Sequence, residues 1–173
     1  MCSSDLPTFG WPGSDVLLTA TNDNPVPRIS IGRIPVLTTN DIKNYLEKAQ
    51  QFIVAQNAPQ TIEDKLWMKR VLHLGGGENL QDQTIFQYYL DSYKPIIEDT
   101  LFGGKVTSFF KTSSDPISSA TSSELDSLIN TGVTLINFFG HSSYNSFDFN
   151  LDHPEDYTNY GKYPMIKIGR AHV

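Results

Sequence analysis

Three short apolar runs constrain this chain most: Val71-Leu-His-Leu74, Lys105–Phe110 and Val133-Thr-Leu-Ile-Asn-Phe-Phe139. Each is bounded by glycine or polar breaks and reads as a strand buried inside a sheet. Segments of helical period lie between them. From Asn79 to about Thr100, Ile85, Phe86, Tyr89, Leu90 and Tyr93 fall on one stripe, with Pro95 marking a kink or a new turn. Thr121-Ser-Ser-Glu124 has the form of a capping box. It opens a helix that turns Leu125, Leu128 and Ile129 inward and stops at Asn130-Thr-Gly132. Upstream, Val16–Thr19 reads as a short strand, and Arg28-Ile-Ser-Ile-Gly-Arg-Ile-Pro35 as an alternating strand ended by proline. Thr38-Thr-Asn-Asp41 starts a helix whose Ile42, Tyr45, Leu46, Ala49, Phe52 and Ile53 share a face. Lys162–Ile166 begins a last strand. Strands alternating with helices predict an α/β fold with a mostly parallel sheet covered by helices.

Charge and hydropathy exclude some function classes. The net charge is −6 and no basic stripe is available to meet phosphates, which argues against nucleic-acid binding. No apolar run approaches the roughly 18–20 residues of a membrane span. Cys2 is the single cysteine in the 173 residues, which by itself speaks against a thiol enzyme. The two ends change that inference. Read backwards into codons, Met1–Leu6 and Ile168–Val173 fit reverse complements of one another over their shared stretch, and resemble a sequencing-library adapter. Residues 1–6 and 167–173 are therefore expected to be translated adapter and are set aside from fold reasoning. Cys2 and His172 then carry no functional weight.

In open α/β sheets, ligands meet the carboxyl ends of the strands. Gly75-Gly-Gly-Glu78 follows one strand and Gly140-His-Ser-Ser143 follows another. Were those strands neighbours, Glu78 and His141 would share a rim, with His141 placed as a general base and Glu78 as its orienting carboxylate. The glycine run could also cradle a phosphate. It lacks the lysine of a P-loop and the spacing of a dinucleotide fingerprint, so a tight strand-to-helix turn is preferred. His73 lies inside a strand and reads as a structural histidine. His153 falls in an acidic loop with Asp148, Asp152, Glu155 and Asp156. That loop offers oxygen ligands for Ca²⁺ but no EF-hand spacing, so a solvated loop is preferred. Ser142 and Ser143 are not framed as a nucleophile elbow.

Several segments together resemble the gingipain-like cysteine peptidases, most closely the PorU-type sortases of the type IX secretion system. They are Ser14-Asp15, Arg28–Pro35, Trp67-Met-Lys-Arg-Val-Leu-His-Leu-Gly-Gly-Gly77, Ile97-Glu-Asp-Thr-Leu-Phe-Gly-Gly104, Phe138-Phe-Gly-His-Ser-Ser143 and Asn159-Tyr-Gly-Lys-Tyr-Pro164. The resemblance implies a caspase-like three-layer α/β/α fold, incomplete at both ends. Residues 7–60 would be the end of a first subdomain and 61–166 a truncated second, catalytic one. It also implies a Cys-His peptidase or sortase in which His141 is the catalytic histidine and Glu78 its acidic support. The backbone N–H of Ser142 would be an oxyanion donor, although the family commonly has Gly-His-Gly where this chain has Gly140-His141-Ser142. The nucleophilic cysteine is expected just beyond Ile166, outside the fragment, which by itself would be inactive. Protein or peptide substrates, secretion-system partners, an extracytoplasmic location and no required cofactor follow from the same resemblance. The rival readings are a non-catalytic scaffold of the same fold and a phosphate- or nucleotide-binding domain using Gly75–Gly77.

Overall fold

The computed structural model describes residues 16–21, 24, 26, 28–29, 31–32, 34, 36–58, 61–113, 119–140 and 154–170. The chain forms two compact units, Met1–Leu46 and Glu47–Val173.

In the first unit, Val16–Thr19 is a turn of 3-10 helix and not the expected strand. Its consecutive apolar residues lack the period-two alternation that gives a strand one apolar face. The polar groups of Thr19 serve a loop instead. Its carbonyl accepts from the Arg28 N–H at 3.0 Å, and its hydroxyl donates to the Ile29 carbonyl at 2.9 Å. The expected strand over Arg28–Pro35 is also not seen, since its described residues are bend or coil. Alternation makes a strand only where a neighbouring backbone completes the ladder. Among the described residues this stretch joins no sheet, and Ile29 is 70% exposed.

Helix α1 (Thr39–Asn57) begins where the sequence indicates. The Asp41 carboxylate accepts from the N–H groups of Leu37 and Thr38 at 3.0 and 2.7 Å, and the Asp41 N–H donates to the Thr38 hydroxyl at 3.3 Å. This reciprocal box satisfies donors that a helix start leaves orphaned. The Thr38 and then the Leu37 backbone donors hold the Asp41 carboxyl below its ordinary range. The expected apolar face behaves differently, because no side chain of α1 is buried. Ile42, Tyr45, Leu46 and Ile53 stay exposed. Of the expected stripe, Ala49 and Phe52 are partly covered, and Phe52 meets Trp67 edge to face at 5.6 Å. A stripe gives a helix something to bury, but burial also needs an open surface opposite.

The second unit holds a sheet whose two faces are already taken. The one-turn helix α2 (Ile62–Lys65) leads into β1 (Arg70–Gly75). Then follow α3 (Leu80–Ile97), β2 (Lys105–Phe110), α4 (Ser119–Thr131), β3 (Leu135–Gly140) and β4 (Met165–Arg170). The strands are all parallel, in the order β2-β1-β3-β4. This is the expected α/β architecture.

Side chains alternate across the sheet. Leu72, Leu74, Ile136 and Phe138 point to one face and form a core with Leu125 and Ile129 of α4 and with Val133. Fully burying a side chain of this size contributes roughly 1.5–3 kcal/mol. Phe139 points to the other face and meets Phe86 of α3 at 4.8 Å between ring centroids. Helices thus cover both faces in three layers, as expected of a caspase-like domain.

Two local expectations are corrected. α4 begins at Ser119, so Thr121 lies inside the helix and does not cap it. Any of several residues in a Ser/Thr-rich stretch can compete for that role. The stripe of α3 is narrower than expected. Gln83, Phe86 and Leu90 are buried, while Ile85, Tyr89 and Tyr93 are exposed at its margins. α3 runs through Pro95, two residues from its end at Ile97. β4 extends to Arg170, into the stretch expected to be adapter. Among the described residues, no helix is long and apolar enough to cross a membrane.

Candidate active site at the carboxyl edge of the sheet

The register places the strand ends in one row. Phe110 of β2 lies opposite Gly75 of β1, Gly75 opposite Phe139 of β3, and Gly140 of β3 opposite Arg170 of β4. Backbone bonds extend the ladder past the strand ends. The Lys111 N–H donates to the Gly75 carbonyl at 2.9 Å, and the Gly76 N–H donates to the Phe139 carbonyl at 3.0 Å. The strands carrying the two sequence motifs are therefore neighbours, which was the condition for a shared rim.

Glu78 follows this ladder after one further residue and is exposed. His141 follows Gly140 directly in the sequence. His141, Ser142 and Ser143 lie outside the described residues, as do Asp148, Asp152, His153, Cys2 and His172. Glu155 and Asp156 are exposed in a 3-10 turn, Pro154–Asp156.

The glycine run is accounted for by packing. A Cβ on Gly75 would stand 2.5 Å from Cδ1 of Phe110. Gly77 has φ +130°, and a Cβ there would meet the Gln83 backbone nitrogen at 2.8 Å. Only glycine suits such a position. With the Gly76 N–H donating to Phe139, the run behaves as a tight strand-to-helix turn, the plainer of its two readings. Asn79 then caps α3, its side-chain oxygen accepting from the Asp82 N–H at 3.0 Å.

Gln83 is a residue that sequence reasoning missed. It is only 7% exposed, and its amide Nε2 donates to the Gly77 carbonyl at 3.1 Å and to the Ser113 carbonyl at 2.9 Å. The one available signal was a polar residue standing at 83 on a stripe otherwise set by Phe86 and Leu90.

His73 is a buried structural histidine, as its place in a strand suggested. It is fully buried. Its neighbours in register are Ser108 on β2 and Asn137 on β3, so three polar residues cross the face covered by α3. The Asn137 amide nitrogen stands 3.2 Å from Nε2 of His73. An amide NH₂ can only donate, so this contact is a hydrogen bond when Nε2 is the ring's unprotonated nitrogen. Burial lowers the His73 pKa below its ordinary value. The charges of Asp91 on α3 and of Glu98, just past its end, oppose that shift and Lys94 adds to it. An enclosed imidazole two positions before the end of β1 supports the sheet and does not reach the rim.

An open groove of about 500 Å³ lies elsewhere, lined by Glu47, Gln51, Val54, Ala55, Tyr160 and Gly161. Tyr160 and Gly161 precede β4, at the amino end of its strand and away from the rim that collects ligands in such sheets. Among the described residues no group of three or more His, Cys, Asp or Glu side chains is arranged to hold a metal.

The model of peptidase family C25 matches residues 2–168. No curated protein and no solved structure shows significant similarity to the chain. The parallel sheet between two helical layers, its carboxyl-edge row and a family match over nearly the whole length agree, and the chain belongs to peptidase family C25, the gingipain family of cysteine peptidases.

Proposed function

We propose that His141 is the catalytic histidine of a thiol peptidase or sortase site built on the carboxyl edge of this sheet. The observation that carries the reading is the row of strand ends. Gly140, which precedes His141, lies opposite Arg170 at the end of β4, and the preceding Phe139 lies opposite Gly75 at the end of β1. A cysteine following β4 would therefore be a neighbour of the residue following β3. In this reading the cysteine thiolate attacks the substrate carbonyl. His141 stabilises the thiolate as its imidazolium and then protonates the leaving amine, which gives an acyl-enzyme. Water completes hydrolysis, whereas an amine acceptor completes transpeptidation. The Ser142 N–H would donate to the tetrahedral oxyanion, since a backbone donor does not depend on the side chain. Glu78, on the same rim, would orient His141 and favour its cation. The substrate is protein, in keeping with the family, and no cofactor is required by this chemistry.

The finer assignment is a PorU-type sortase acting with type IX secretion components outside the cytoplasm. It is supported by the ordered motifs from Arg28–Pro35 to Asn159–Pro164. The test is an assay of the protein extended past β4, against peptides with and without an added amine acceptor. Thiol-dependent acyl transfer to the amine would support the sortase reading. Hydrolysis alone would leave a peptidase, and no thiol-dependent turnover would favour a non-catalytic scaffold of the same fold.

A further inference from the structure

We infer that Gln83 is a positioning residue that clamps two loops at the carboxyl edge and thereby fixes the start of the Glu78 segment. The inference rests on the peptidase reading of that edge.

Gln83 reaches from the buried side of α3 to two carbonyls far apart in sequence. Gly77 belongs to the loop after β1, and Ser113 to the segment after β2. Both carbonyls are acceptors, and a primary amide has two N–H groups to give. A carboxylate or an apolar side chain of similar size cannot take its place. Gly77 is already pressed onto Gln83, with room for no Cβ at its φ of +130°. Bond and contact together leave the Gly77 carbonyl little freedom, and Glu78 is the next residue. Orientation of a group that acts on a catalytic histidine is worth little unless its backbone is held. Gln83 supplies that hold from a helix, the more rigid element.

The experiment measures kcat, KM and the pH profile of kcat in the full-length peptidase for Gln83→Met, Glu78→Gln and the double variant. Gln83→Met keeps the length and volume of the side chain and removes both donors. It should lower kcat about 10-fold or more. If Glu78 stabilises the histidine cation, both single variants should move the limb of the kcat profile that reports that histidine in the same direction. The double variant should be no worse than Glu78→Gln alone, because Gln83 acts through Glu78. Full activity in Gln83→Met, or losses that multiply in the double variant, would overturn the inference. Should Gln83→Met melt far below the parent, Gln83→Glu becomes the variant, with amide exchange read at Gly77 and Glu78. Unchanged exchange there would equally overturn it. An inert Glu78→Gln beside an impaired Gln83→Met would show that the clamp serves something other than Glu78, and would reject the inference. No activity in the parent would instead reject the peptidase reading on which it rests.

Discussion

The two faces of the sheet are built on different terms. The face under α4 is apolar throughout its core, where Leu72, Leu74, Ile136 and Phe138 meet Leu125 and Ile129. The face under α3 mixes Phe86, Leu90 and Phe139 with buried Gln83, His73 and the neighbours Ser108 and Asn137. Burying polar groups is costly unless they are paired, so they are kept where direction matters. The comparison separates a face that supplies cohesion from a face that also carries buried polar groups, one of which, Gln83, holds the carboxyl-edge loops. It also explains why the rim loops are tied down from α3, through Gln83 to Gly77 and Ser113.

Substitutions can break that contrast, the largest effect coming from the apolar face. Leu125 is 1% exposed, and Leu125→Ala should cost about 2–5 kcal/mol in denaturant unfolding through the cavity it leaves. A loss below about 1 kcal/mol would mean that the α4 face is not the main source of cohesion. Gly75→Ala tests the close packing of the other face. Its new methyl would collide with Phe110, so a loss of about 1–3 kcal/mol by overpacking is expected. A smaller step is Asn79→Ala, which removes the cap of α3 and should cost about 1 kcal/mol in the same titration.

The smallest effect is a pH dependence from His73. Its pKa is lower in the folded chain than the ordinary value of about 6.5. The unfolded chain therefore binds the extra proton first as pH falls. Stability from the neutral buried ring is fully present above about pH 6.5 and declines as pH drops through that value towards the folded pKa. Melting temperatures between pH 7.5 and 5 should fall for the parent and fall less for His73→Gln. Equal slopes would remove His73 as the cause.

Much of this was legible in the sequence because local pattern and tertiary demand agreed. The runs at Val71–Leu74, Lys105–Phe110 and Val133–Phe139 became β1, β2 and β3, with β3 shifted to begin at Leu135. Glycines at 75 and 77 marked a tight turn because packing allowed nothing larger. Reading failed where a pattern needed a partner that is not found among the described residues. The isoleucines of Arg28–Pro35 alternate without a ladder among the described residues, and the apolar stripe of α1 has no buried member. Gln83 was illegible for another reason. A glutamine on a helix has no motif value until its two acceptors, one of them 30 positions away, are seen to converge. At the rim the sequence indicated both Glu78 and His141. Their strands proved to be neighbours, while His141 itself lies outside the described residues.

The central claim is that the carboxyl edge works through His141. The most direct measurement is kcat/KM of the full-length peptidase and its His141→Ala variant on one peptide substrate, with melting curves recorded for both. The account predicts a loss of at least about 10³-fold at an unchanged melting temperature. A folded His141→Ala variant that keeps the parent's rate would contradict it.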